Sequence, residues 1–179
     1  MTPAAPLRDR LQALGAFADE LEAPGFDAGR WHDSEVRQTP DGEVRTMPWF
    51  ELSERAEAFT RAATGNGWVQ PFDWMAWIET DEGKALRDDR GALADAMPDQ
   101  LQHLLTAVIR AERFSEGSLE WAFQSGLMAA IARRAKTLAD GMVTSTDQRR
   151  SASAPPAATT RHRPPATTAA LRRHDLRGR

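Results

Sequence analysis

The sequence predicts a mainly α domain of about five helices with one minor β-hairpin, followed by a disordered basic tail. Three observations carry that expectation. Apolar residues recur at helical spacing through much of the first 140 residues, Thr39-Pro40-Asp41-Gly42 marks a hairpin turn, and residues 141–179 contain almost no large apolar side chains. The domain is therefore expected over residues 5–140, and an Arg/Pro/Ala/Thr-rich tail over residues 141–179.

In chain order, Leu7, Leu11, Leu14, Ala18 and Leu21 form an amphipathic stripe, which Pro24-Gly25 terminates. Val36 and Val44 flank the Pro40–Gly42 turn, so a small β element is expected near Trp31 to Met47. Ser53 can cap a helix carrying Ala56, Phe59 and Ala63, and Gly65-Asn66-Gly67 ends it. Asp73 caps the next helix, with Trp74, Trp77 and Ile78 at core spacing. A polar stretch follows, in which Glu79-Thr80-Asp81-Glu82 reads as a solvated helix face. Pro98-Asp99 then opens a helix with Leu101, Leu104, Leu105, Val108 and Ile109 on one side. Ser115 is expected to cap the last helix, which carries Leu119, Phe123, Leu127, Ala130, Ile131 and Leu138.

All six Trp and all seven Phe lie in the first 140 residues, which can build a core. Charge divides the same way: residues 1–140 carry −9 and residues 141–179 carry +6. The acidic body disfavours nucleic acid, whereas the Arg-rich tail could associate with it weakly and non-specifically. The absence of cysteine excludes disulfides, thiolate nucleophiles and Cys-ligated metal sites. No window approaches the ~20 apolar residues of a membrane span, and the first residues show no apolar signal segment. No membrane association is expected, and the cytoplasm is the expected compartment.

The least generic stretch is residues 104–134. With Leu101 as reference, Glu112 falls about 20° away on the core stripe and Arg110 on the opposite face, at 100° per residue. A carboxylate facing apolar side chains needs a cation or several donors. Arg134 falls on the apolar sector of the last helix and also needs a partner. A break at Ser125-Gly126 would let Arg134 fold back toward Glu112. The small-residue ridge Ala122, Gly126, Ala130 instead favours a continuous helix, leaving Glu112 to pair with Arg113 or with backbone amides. Arg110, Glu112, Arg113, Glu116 and Arg134 are thus the candidate corner. It reads as a structural ion-pair network, as an anion site with bidentate arginines, or as a site with a glutamate general base.

Nothing supplies a nucleophile, metal cage or phosphate loop, so no metal, cofactor or catalytic residue is assigned. His103 falls on the outer helix face and reads as solvated, and His32 stands alone. Trp49, Trp68, Trp74 and Trp77, with Phe50 and Phe72, are expected to fill the core. Stacking on bases would call for interleaved basic residues, and between Trp49 and Ile78 there are only Arg55 and Arg61.

FDWMAWIE (72–79), LLTAVIRAERFSEGSL (104–119) and FQSGLMAAIARR (123–134) resemble a prokaryotic domain-of-unknown-function family, the one numbered six-five-zero-eight. GRWHD and MPWFELS upstream fit the same pattern. The resemblance implies that Phe72, Asp73, Trp74, Trp77, Arg110, Arg113, Phe114, Glu116 and Gly117 belong to the family signature. It implies no activity. Ser115 and Ser118 stand where the family often has Cys and His, so any ligand role of those types is lost here. The sequence leads to a non-enzymatic binding or regulatory module for an anionic ligand or a protein partner. The alternative is a small enzyme of unknown type built on Arg110, Glu112, Arg113 and Glu116.

Overall fold

The computed structural model describes the backbone of residues 5–152 and the side chains of residues 5–142. Helices build the domain, and two small antiparallel ribbons are attached to it. The chain opens with α1 (Leu7–Gly15) and α2 (Ala18–Leu21). The single helix expected over this stripe breaks at Ala16-Phe17. The break turns Phe17 onto Phe59, with ring centroids 5.6 Å apart and nearly perpendicular.

The strands are β1 (Gly29–His32), β2 (Val36–Thr39), β3 (Gly42–Arg45) and β4 (Trp49–Leu52). The expected hairpin forms, β2 pairing with β3 from Val36↔Arg45 to Thr39↔Gly42. Outside it, β1 pairs with β4 from Gly29↔Leu52 to His32↔Trp49. The β element thus extends beyond the expected Trp31–Met47 region, because the paired residues around the hairpin continue the antiparallel ladder.

Ser53 caps α3 (Glu54–Gly65), its hydroxyl accepting from the Ala56 amide, and Asp73 caps α4 (Trp74–Ile78) in the same way. The polar stretch resolves into α5 (Asp81–Asp88), capped by Thr80, and α6 (Arg90–Ala94), capped by Asp89. These two helices are additions to the expected five. Their apolar content is small, yet Leu86 and Leu93 are buried. α7 (Pro98–Ala111) forms as expected, with Leu101, Leu104, Leu105 and Val108 buried.

The last expected helix is two: α8 (Ser118–Gln124) and α9 (Leu127–Ala152). Ser115 is not its cap. Gly117, at φ 88°, takes that place. The continuous helix is also corrected. Gly126 adopts φ 75° and ends α8, so the glycine acts as a stop signal and not as part of a packing ridge. The close crossing occurs elsewhere, between α1 and α9. A Cβ on Gly15 would lie 2.7 Å from the Lys136 backbone, so only glycine admits this approach.

Phe59 and Phe123 meet edge-on at the centre, and Leu104 and Leu105 of α7 and Leu127, Met128 and Ile131 of α9 are fully buried. Among the expected core tryptophans only Trp68 is fully buried. Its indole N–H donates to the Arg10 carbonyl, and the Arg10 guanidinium stacks on its ring at 4.5 Å. Trp77 packs against the core at partial exposure, while Trp49 is largely exposed. One buried polar residue, Thr106, bonds three backbone groups, at Trp68, Gln70 and Gln102. The α9 backbone continues past the expected boundary at 140. Residues 153–179, and with them most of the basic tail, lie outside the described residues.

No helix among the described residues is long and apolar enough to cross a membrane.

Candidate functional site

The chain reverses between α7 and α8 through residues 112–117. Phe114 and Ser115 amides both return to the Ala111 carbonyl at 2.9 Å, and the left-handed Gly117 starts α8. Side chains are excluded at Gly117 twice over. Its φ is costly for them, and a Cβ would sit 2.9 Å from Trp31 Cζ2.

Glu112 is half-buried at the C-terminal cap of α7, and its partners are amides. Its carboxylate accepts from Gly117 N at 3.1 Å and Leu119 N at 2.6 Å. It therefore caps the N-terminus of α8, where a negative charge is favourable. Glu116 reaches β4, its Oε1 accepting from Phe50 N at 2.9 Å across 66 residues of sequence. Glu120 receives the Trp31 indole N–H at 2.7 Å. Three glutamates thus fasten the corner to itself and to the β1–β4 ribbon.

The arginines take no part. Arg110 and Arg113 make no side-chain hydrogen bond or ion pair among the described residues. Arg134 is not brought to this corner. Its Nε donates to the Ala96 carbonyl at 2.8 Å, on the far side of the α8–α9 break. The five charged residues do not form one cluster.

The segments 72–79 and 104–119 do meet. Trp74 lies 5.9 Å from Phe114 between ring centroids, and Phe114 is 71% exposed. Phe72 packs against His103 at a tilt of 35°, ring centroids 4.5 Å apart, so His103 is half-buried in aromatic surroundings and not simply solvated. Trp77 N–H and the Gln100 amide both donate to Glu82. These bonds, Gln100 foremost, hold the Glu82 carboxyl below its ordinary range.

Beside the corner lies an open groove of about 550 Å³, a size suited to a ligand side chain or small molecule. Ile78, Ala107 and Val108 form its apolar lining, Trp74 and Trp121 are its aromatic residues, and Ser115, Ser118 and Glu116 line it toward the corner. Trp121 is 48% exposed. Arg87 and Asp88 complete the lining as a bidentate pair at 2.7 and 2.8 Å, which holds Asp88 below and Arg87 above their ordinary values. Their charges offset each other, and Glu116 leaves the lining net negative. Neither Arg110 nor Arg113 lines it. Sequence reasoning missed Trp121 and Arg87-Asp88, because only the fold brings α5 and α8 to the same opening.

A second cluster lies on β1 and β4. His32 stacks flat on Trp49 at 4.1 Å, and its Nε2 bonds Glu51 at 2.8 Å, as does Arg30. The His32 bond, then the Arg30 bond, hold the Glu51 carboxyl below its ordinary range. Among the described residues no group of three or more His, Asp or Glu is arranged to hold a metal.

Residues 6–141 match the description "Family of unknown function (DUF6508)". The chain belongs to this family. Neither a curated protein nor a solved structure matches it. Within the matched residues, the segments 72–79 and 104–119 meet where Trp74, which lines the groove, packs against Phe114, which does not.

Proposed function

We propose that this domain is a binding module, acting without chemistry of its own, that receives a basic segment of a protein partner in the groove between α4, α7 and α8. The observation that carries the reading is the pairing of two accessible tryptophans with a carboxylate that has no cation. Glu116 uses one oxygen for the Phe50 amide, and the other has no partner among the described residues. A lysine or arginine side chain fits that combination, its aliphatic stem lying on Trp74, Trp121 and Val108 and its charge meeting Glu116 and the ring faces.

An anionic ligand at this corner is less well supported, because the groove lining carries net negative charge and the corner arginines lie outside it. The enzymatic alternative needs an activated group. Ser118 donates to the Ser115 carbonyl, and among the described residues neither serine hydroxyl bonds a histidine, lysine or carboxylate. The cytoplasm remains the expected compartment.

The test is titration of short peptides pairing an aromatic residue with Lys or Arg, followed by tryptophan fluorescence at fixed ionic strength. Saturable binding of the basic peptides is expected, with at least ~10-fold loss in Trp121→Ala and in Glu116→Gln. Glutamate-containing counterparts should not bind. Equal binding of acidic and basic peptides, or none of either, would overturn the reading.

A further inference from the structure

A separate groove of about 520 Å³ runs between α2, α6 and α9, away from the aromatic one. Its lining includes Arg90, Arg133 and Arg134, and the one acidic residue is Glu22. The domain carries −9 over residues 1–140, so this convergence of arginines runs against its overall charge.

The way these guanidinium groups are held is the decisive point. Arg90 donates to the Arg87 and Ser125 carbonyls at 2.9 and 3.1 Å, and Arg134 donates to the Ala96 carbonyl at 2.8 Å. Carbonyls orient a guanidinium without cancelling its charge. Neither Arg90 nor Arg134 lies within ion-pair distance of a carboxylate among the described residues, although Asp88 is near enough to Arg90 to feel its charge, whereas Arg133 pairs with Glu22. Three cations against one anion leave two positive charges on the lining. An arginine has five N–H donors, so Arg134 keeps most of its own unused after the Ala96 bond. Apart from Thr137, the remaining lining is apolar, from residues such as Leu21 and Ala94.

From these observations we infer that the groove binds a small dianion of the phosphoryl class, its oxygens on Arg90 and Arg134 and any organic part on Leu21 and Ala94. Planar, fixed guanidinium groups match phosphoryl oxygens bidentately, and the net charge of the lining matches a phosphate monoester near neutral pH. The site shares no lining residue with the aromatic groove. It is also where Arg134, a charge on an apolar helix sector, acquires a use.

Thermal unfolding at constant ionic strength, with inorganic phosphate and with phenyl phosphate, tests it. Both probes should raise Tm saturably, whereas matched chloride should not. Phenyl phosphate binding more tightly would identify an organic monoester as the ligand, and equal affinity would identify the free anion. Arg90→Gln should weaken either probe by at least ~10-fold, and Glu22→Gln, which removes the opposing charge, should tighten it. The opposite signs separate a binding role from a structural one, which would lower Tm equally with and without the probe. Identical Tm increments in wild type and Arg90→Gln, or no saturable increment in wild type, would overturn the inference.

Discussion

The corner between α7 and α8 and the groove along α9 both gather charged side chains, and they treat the two signs in opposite ways. At the corner the glutamates are engaged, by backbone amides and an indole, while Arg110 and Arg113 stand apart. Along α9 two arginines are held by carbonyls. Engagement by the backbone is common to both. The difference is one of sign: the corner leaves the Glu116 carboxylate without a cation beside the aromatic groove, whereas the α9 groove has more arginine than carboxylate in its lining. Charge density in a sequence therefore does not locate a site. What matters is whether the backbone needs the charged group or merely orients it.

The comparison breaks first at Gly117. Gly117→Ala adds an unfavourable left-handed residue and a contact with Trp31, and should cost on the order of 2 kcal/mol or more, measured by urea unfolding. Wild-type stability in this variant would mean that the corner is not rigid. A smaller effect is expected at Glu112. Glu112→Gln keeps an acceptor and loses the charge, at about 1–2 kcal/mol, while Arg110→Ala and Arg113→Ala should stay within about 0.5 kcal/mol of wild type. If the arginine variants proved as costly as Glu112→Gln, the corner would be an ion-pair network after all.

The smallest effect is that of acid, and it arises outside both regions. Asp19, Glu51, Glu82 and Asp88 are held below their ordinary values, foremost by hydrogen bonds from Lys136, His32, Gln100 and Arg87 respectively. A carboxyl depressed in the folded state stabilises above its unfolded value, 3.8 for Asp and 4.5 for Glu, and that contribution disappears as pH falls through the folded value. Asp19, Glu82 and Asp88 are exposed and Glu51 is half-exposed, so the urea midpoint should be flat from pH 7 to 5 and then decline gradually toward pH 3. A midpoint that rose on acidification would contradict the assignment.

The helical frame was legible in residue spacing. Leu101, Leu104, Leu105 and Val108 are buried where the period puts them, and Ser53 and Asp73 cap their helices. The rotation that placed Glu112 on the core side also identified a carboxylate in need of donors. Its choice of amides over Arg113 follows from the turn at Gly117, whose geometry depends on Trp31 from a distant strand. Ser125-Gly126 carried two local readings, stop or ridge, and tertiary packing chose the stop. Arg134 then found a carbonyl that no spacing rule could name. The tryptophans were over-assigned to the core. Periodicity marks a side as apolar without saying whether another element covers it, and Trp49 is left exposed while Trp74 and Trp77 are only partly covered.

The β2–β3 hairpin has a further consequence. Every residue from Asp33 to Trp49 is exposed, yet His32 and Trp49 are cross-strand partners directly beneath it. The ladder that anchors Trp31 and Phe50 to the corner closes before the hairpin begins. In engineering terms residues 33–48 are a port in the fold. A two-residue Asn-Gly connection could replace them, or a longer insertion extend them, while the corner and both grooves keep their geometry.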